Sequence, residues 1–279
     1  MSSEETQTYP KTAESAINRH KERGHYDVET IHSIINSTPV AHVSFIPDPS
    51  DPKPVVLPML ARAGTFPGDD EPAVYIHGYV SARMFRPQTG RAEPATKDHD
   101  EGMPVCIAAT KIDNLVLALT PFNHSYDYRS AVVHGTATLL DPGTRGDPKN
   151  REEIIYAMKL ITDGMVPGRW ENSRTPPEES EIASTRIMKV RIDSASAKIR
   201  NSGVSDDVKD LKNDETTGRV WTGVIPYVEV FGEPKPAETN KVAQIPEYIS
   251  GYVKDHNEKA QVAGTGGLVG RVLGSIFGR

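Results

Sequence analysis

Along the chain, apolar positions recur first at helical spacing and then, beyond Pro39, in short strand-like runs. Val28, Ile31, Ile34 and Ile35 fall three to four residues apart, which places them on one face of a helix. Asp27 stands at the N-cap position and Pro39 where a helix must stop, so the spacing predicts a helix from Val28 to about Asn36. A shorter polar helix is predicted over residues 13–23, capped by Thr12 and closed by Gly24. Strands are predicted at Val40–Ile46, Val55–Ala61, Ala73–Tyr79, Pro104–Thr110, Leu115–Leu119 and Tyr128–Leu140. Pro58 makes the second of these an edge or bulged strand, because proline gives no N–H to a ladder. Lys111-Ile112-Asp113-Asn114 reads as a hairpin loop, Ser81–Arg86 as one helical turn, and residues 87–103 as a polar loop.

Helical spacing returns over Arg151–Thr162, with Ile154, Ile155, Met158 and Ile161 on one face. Pro167-Gly168-Arg169-Trp170 is a turn, and strands resume at Thr185–Ile192 and Val220–Val230. Many short strands with few helices between them predict a mainly β fold, an antiparallel barrel or sandwich. Residues 1–12 read as a disordered lead-in, 13–234 as one β domain, and 235–279 as a peripheral tail. That tail is expected to hold a short helix near Ile245–Asp255 and a flexible glycine-rich end, with Leu268, Val269, Val272, Leu273, Ile276 and Phe277 spaced for a short amphipathic helix.

Composition narrows the function. A chain of 279 residues with net charge −6 has no basic excess of the kind a sequence-independent nucleic-acid binder needs. The single cysteine, Cys106, rules out an intrachain disulfide framework and fits a reducing compartment. Met1-Ser2-Ser3-Glu4-Glu5 is neither a secretory signal nor a basic transit peptide, and no apolar run reaches membrane-span length. The expectation is a cytoplasmic protein with no stable membrane association. No phosphate-binding loop is present, and Gly264-Thr265-Gly266-Gly267-Leu268-Val269-Gly270 is out of register for a dinucleotide fingerprint. Neither H-E-x-x-H nor a cysteine pair occurs, so no metal site is expected.

Directional chemistry concentrates in a few places. Asn123-His124-Ser125-Tyr126-Asp127-Tyr128-Arg129-Ser130 packs an imidazole, hydroxyls, phenols and a guanidinium at the mouth of a long strand. Alternation puts Tyr128 and Ser130 on one face, Arg129 and Ala131 on the other. His77-Gly78-Tyr79-Val80-Ser81-Ala82-Arg83 ends a strand in a hydroxyl and a guanidinium, a sensible phosphate site or else an ordinary capping serine. Ser194-Ala195-Ser196-Ala197-Lys198-Ile199-Arg200 follows a strand with two hydroxyls and two cations, and taken alone reads as a solvated loop. Trp221 opens another strand, a position that core packing also explains. No nucleophile–base pair stands out, so any chemistry belongs to a cofactor.

Together these segments resemble the FMN-binding split-barrel proteins of the pyridoxamine 5′-phosphate oxidase-like family, in the branch that includes nitroimidazole-resistance proteins. The likeness runs from about Arg23 to Pro226. It rests on Tyr26-Asp27, Leu57-Pro58-Met59, Tyr75-Ile76-His77-Gly78 with Ser81 and Arg83, and His124-Ser125-x-x-Tyr128-Arg129-Ser130. Pro167–Trp170, Ser196–Arg200 and Trp221–Val224 complete it.

The resemblance implies a six-stranded antiparallel split β-barrel with short flanking helices, forming a homodimer with FMN at the subunit interface. It implies flavin contacts from Pro58, Met59, His77, Ser81, Arg83, Ser125, Tyr128, Arg129, Ser130, Lys198 and Trp221. Arg129 or Lys198 would lie near the ring's N1 edge, and His124 would handle a proton in catalysis. The oxidase's arginine and histidine pattern for pyridoxamine phosphate is not evident, so vitamin B6 chemistry is not implied. The expected activity is a small-molecule oxidoreductase, with NAD(P)H or dioxygen as redox partner. The alternative is a non-catalytic flavin- or haem-binding carrier or sensor, the haem form taking His77, His124 or His134 as axial ligand.

Overall fold

Asp27 accepts a hydrogen bond from the Thr30 backbone N–H at 2.8 Å and so starts helix α1, Val28–Ser37. Ile31, Ile34 and Ile35 are buried beneath it, as their spacing requires. The computed structural model describes residues 6–47, 50–79, 84, 102–140 and 148–276. The helix expected over residues 13–23 does not form. Thr12 and Ser15 instead exchange bonds between their own side chains and backbone, and the Ser15 hydroxyl donates to the Pro10 carbonyl at 3.2 Å. Such local side-chain bonds compete with a helical ladder. Only a 3-10 turn, Lys21–Arg23, follows, after His20 in the left-handed region.

Among the described residues nine strand segments form: β1 (Gly24–His25), β2 (Ala41–Phe45), β3 (Val55–Met59), β4 (Ala61–Gly64), β5 (Ala73–Tyr79), β6 (Met103–Leu117), β7 (Ser125–Leu140), β8 (Thr185–Arg200) and β9 (Gly223–Pro226). The strand order is β3-β2-β6-β7-β8-β5-β4, with β1 beside β8 and β9 beside β6. The class is the mainly antiparallel one expected, with more strand segments than six. Pro58 does lie on an edge strand, β3. Met59 ends β3 and Ala61 begins β4, yet these two strands stand at opposite ends of the order. With one residue, Leu60, between them, the sheet must curl until its ends are neighbours, although no ladder joins those ends among the described residues.

Three segments depart from expectation. The hairpin at Lys111–Asn114 is absent and β6 runs straight through it. Asn114–Leu117 find a partner in β9, which holds this stretch extended. Ser194–Arg200 is not a loop but the end of β8, with Ser194, Ala195, Ser196 and Ala197 buried and Lys198 opposite Gly24. The strand expected at Val220–Val230 shrinks to β9, because Val220 still caps a helix and Pro226 cannot donate to a ladder.

Met1–Lys111 with Arg129–Ile199 form one unit, and Ile112–Tyr128 with Arg200–Arg279 another. In the first unit, helix α2 (Pro148–Met165) buries Ile154, Ala157 and Ile161 against Tyr75 and Ile187. Arg62, almost fully buried, donates to the carbonyls of Thr38 (3.3 Å), Ala61 (2.8 Å) and Gly164 (2.8 Å), so it serves the C-terminal ends of both α1 and α2. Gly164 permits this: a Cβ there would lie 2.2 Å from Arg62 Nε. Tyr75 donates to Glu153 at 2.7 Å, Lys189 reaches the same carboxylate at 2.7 Å, and Lys189 also pairs with Asp69.

In the second unit, the buried Asp127 carboxylate pairs with the buried Arg200 guanidinium. Asn114 Nδ2 donates to it at 3.1 Å and the Gly203 N–H at 3.3 Å, while Arg200 Nη2 donates to the Gly203 carbonyl at 2.8 Å. The glycine-rich end of the tail is not a linker, since one helix spans Glu247–Ile276. No described helix is long and apolar enough to cross a membrane. Removing one partner of a buried pair strands the other, so Asp127→Ala is expected to lose about 3–5 kcal/mol in urea unfolding. An Asp127→Ala/Arg200→Met double variant should recover much of that. A loss below about 1 kcal/mol in the single variant would contradict the role given to the pair.

Candidate functional site

The first unit holds six of the residues singled out in the sequence. Pro58 is exposed and Met59 half-buried on the edge strand β3, opposite His42 and Ala41. Arg129 and Ser130, both half-buried, enter β7 side by side. The Ser130 hydroxyl crosses to β8 and donates to the Lys198 carbonyl at 3.3 Å. That bond places a hydroxyl, a guanidinium and an ammonium-bearing residue on two adjacent central strands.

His77 is the sixth. It lies on β5 opposite Ile187 of β8 and lines a cavity of about 450 Å³. Met158 and Ile161 of α2 and Trp170 of the Pro167–Trp170 turn wall that cavity. His77 Nδ1 is buried and has no hydrogen-bond partner, and burial holds the imidazole pKa below its ordinary value. At neutral pH the ring is uncharged. The segment crossing the cavity is tied down: the Trp170 N–H donates to Asp163 at 2.8 Å, and Arg174 pairs with Glu178 (3.5 Å) and Glu181. Glu178 and Glu181 form the capping box of α3 (Glu179–Ser184). Sequence reading had marked His77 and the Trp170 turn separately. What it missed was the part of the α2 face that closes over β5, because helical periodicity reveals a buried face but not its partner.

The second unit holds the others. His124 is exposed, and its Nδ1 donates to the Thr120 carbonyl at 2.7 Å. A carbonyl only accepts, so the neutral ring keeps Nε2 free to take a proton. Ser125 is half-buried and its hydroxyl donates to the Tyr126 carbonyl at 3.5 Å, a weak bond; Tyr128 is half-buried. Trp221 precedes β9 and is 66% exposed, which excludes core packing; a Cβ on Gly223 would come within 2.6 Å of its ring. Ser81 and Arg83 lie outside the described residues.

Cys106 is half-buried in β6 and burial raises its thiol pKa, which keeps it protonated and unreactive. Burial also lowers the pKa of His32, whose Nε2 is hydrogen-bonded to the Tyr9 hydroxyl at 2.6 Å. A histidine whose folded pKa is depressed adds stability that is full above the unfolded value and lost as pH falls through the folded one. Stability should therefore fall between about pH 7 and pH 5, and a His32→Asn/His77→Asn double variant should show a shallower fall over that range. An unchanged slope in chemical denaturation at several pH values would contradict this.

Comparison with known proteins places this arrangement. No curated protein sequence matches the chain. The flavocytochrome Anf3 from Azotobacter vinelandii is similar at 26% identity and TM-score 0.66, over 86% of this chain and 97% of that one. A FAD and heme binding protein from Mycobacterium smegmatis is similar in fold at 24% identity and TM-score 0.61, over 83% of this chain and 97% of that one. More distant, at 18% identity and TM-score 0.43 over 63% of this chain and 86% of that one, is a protein described for 5-nitroimidazole antibiotic resistance from Bacteroides thetaiotaomicron. The pyridoxamine 5′-phosphate oxidase family profile matches residues 27–199, the stretch that carries α1 and the strands from β2 to β8. On that match the chain belongs to the pyridoxamine 5′-phosphate oxidase family.

Proposed function

We propose that this chain is a flavin-binding redox protein, an FMN-dependent oxidoreductase of a small molecule that works as a homodimer. The observation that carries the reading is the cross-strand bond from Ser130 to Lys198, with Arg129 next in β7 on the other face of the strand. A phosphorylated flavin needs hydroxyls and cations at its phosphate, and a cation near the electron-accepting edge of the ring. Family membership and the 26% identity to a flavocytochrome support the same reading.

The residues present fit a flavin. Lys198 and Arg129 would hold negative charge, and the unladdered outer edge of β3 at Pro58 and Met59 would offer main-chain contacts to a flat ring. A bound flavin supplies hydride and electron transfer. His124, with Nδ1–H engaged, would give or take a proton at Nε2. Reduction by NAD(P)H and reoxidation by dioxygen or an organic acceptor make it an enzyme; a bound flavin without turnover makes it a carrier or sensor. A second reading, haem beside the flavin, is favoured by the flavocytochrome relative and by the unpartnered ring nitrogen of His77.

The purified protein is expected to show the two visible flavin bands, with mass spectrometry of the released cofactor giving FMN. Anaerobic NAD(P)H should bleach those bands, and light scattering should give a dimer mass. Lys198→Ala should weaken flavin binding about tenfold, the size of one lost charge-assisted contact. A protein that neither carries nor takes up flavin would overturn the reading.

A further inference from the structure

Tyr227-Val228-Glu229-Val230-Phe231 follows β9 in the second unit, and its valines and aromatics are strand-forming residues. Its own chain holds it along one edge. The Tyr227 N–H donates to the Asp113 carbonyl at 2.9 Å, and His256 Nε2 donates to the Glu229 carbonyl at 3.0 Å. Asn257 engages both backbone groups of Phe231: its Oδ1 accepts from the N–H and its Nδ2 donates to the carbonyl, each at 2.8 Å. Ring contacts fix the end, with Phe231 centred 4.4 Å from His256 and 5.5 Å from Tyr252, both on the Glu247–Ile276 helix.

The residues bonded in this way are all odd-numbered. In an extended chain, successive residues turn their N–H and C=O to opposite edges. Those of Val228 and Val230 therefore face away, and they have no hydrogen-bond partner among the described residues. Neither face is covered, since Tyr227, Val228, Val230 and Phe231 are between 42% and 57% exposed. The segment is a preformed strand with one open edge, and such an edge is a template for another strand. Lysine and proline, the usual guards of an open edge, are absent within it; Pro226 and Pro234 stand outside and limit its length.

The sequence says which strand fits. Read in either direction, the five residues run aromatic, valine, glutamate, valine, aromatic. An antiparallel pair about a two-fold axis at Glu229 sets Val228 opposite the partner's Val230, and Tyr227 opposite the partner's Phe231. The outward groups of Val228 and Val230 then form hydrogen-bonded pairs, and valines and aromatics meet across the strands. A two-fold interface must be self-complementary in this way, whereas an unrelated peptide needs no palindrome. Only the axis is mismatched: two Glu229 carboxylates face each other there, and like charges directly opposite weaken a pair. We propose that residues 227–231 are a dimerisation strand, pairing antiparallel with the same segment of a second copy about an axis at Glu229. This rests on the homodimer of the reading above and not on its flavin.

The test uses the full chain, with mass by sedimentation over a concentration series and flavin content read on the same samples. Val230→Pro removes an outward N–H and no bond to its own chain, so it should weaken dimerisation at least tenfold and leave flavin content unchanged. Glu229→Gln should tighten the dimer severalfold. Glu229→Lys mixed with wild type should give heterodimers in excess of random mixing by native mass spectrometry, because opposite charges then meet at the axis. Cα atoms across the axis would stand about 4.5 Å apart, within disulfide reach. Glu229→Cys in a Cys106→Ser background should therefore cross-link two copies on mild oxidation, where Glu233→Cys does not. A monomeric wild type that carries flavin would overturn this proposal and the homodimer while leaving the flavin reading. A flavin-free wild type that dimerises through this strand would support the proposal and sink the flavin reading. A dimer that Val230→Pro leaves unchanged, or that Glu229→Cys does not cross-link, would overturn the assignment alone. Should Val230→Pro fail to fold, the cross-link and the charge-swapped mixture decide.

Discussion

Leu60 imposes the constraint on which the first unit depends. The chain leaves β3 at Met59 and enters β4 at Ala61, at opposite ends of the strand order. One residue spans only a few ångströms, so the whole seven-strand path must bend back on itself. The bend gathers the inward faces of β2, β5, β6, β7 and β8 around one core that includes Val43, Ile76, Ile107, Val133 and Val190. It also leaves β3 as an edge whose outer backbone has no ladder partner among the described residues, and there Pro58 is tolerated because it has no N–H to offer. Close approach of β7 to β8 follows: at Gly135 a Cβ would sit 2.2 Å from the Arg191 carbonyl, so only glycine lets the strands meet there.

Around this frame the charged groups are held in two different ways. Arg62 donates from Nη1 and Nη2 to carbonyls that include those at two helix ends, and Asp127 and Arg200 are bonded to each other and to Gly203. These groups hold structure, since each is buried and bonded in a fixed geometry. His77 is only half-buried, and its buried Nδ1 has no hydrogen-bond partner.

Much of the fold was legible from local chemistry. Asp27 as an N-cap, Pro39 as a stop, Pro58 on an edge and Gly168 in a turn at φ 77 all follow from rules that act within a few residues. The misses share a cause. Lys111–Asn114 looked like a loop because it is polar, yet its backbone continues as strand once β9 pairs with Asn114–Leu117, a contact that comes from more than a hundred positions away. Ser194–Ala197 looked solvated and is buried, because β8 continues beside β1. For Trp221, read as a flavin contact with core packing as the alternative, exposure removes the alternative, since apolar character says nothing about whether space exists inside. In the candidate site, residue types pointed to His77, Arg129, Ser130 and Lys198, but the Ser130–Lys198 bond and the α2 wall of the His77 cavity needed the tertiary structure.

The central claim is that a flavin is held where the unladdered β3 edge and the β7–β8 seam offer main-chain groups, a hydroxyl and cations. Hydrogen exchange of the full chain with and without FMN tests it most directly. The account predicts slowed exchange confined to peptides covering Val55–Met59, the start of β7 at Arg129–Ser130, and Lys198 at the end of β8. Tight FMN binding with protection only elsewhere in the chain would contradict it.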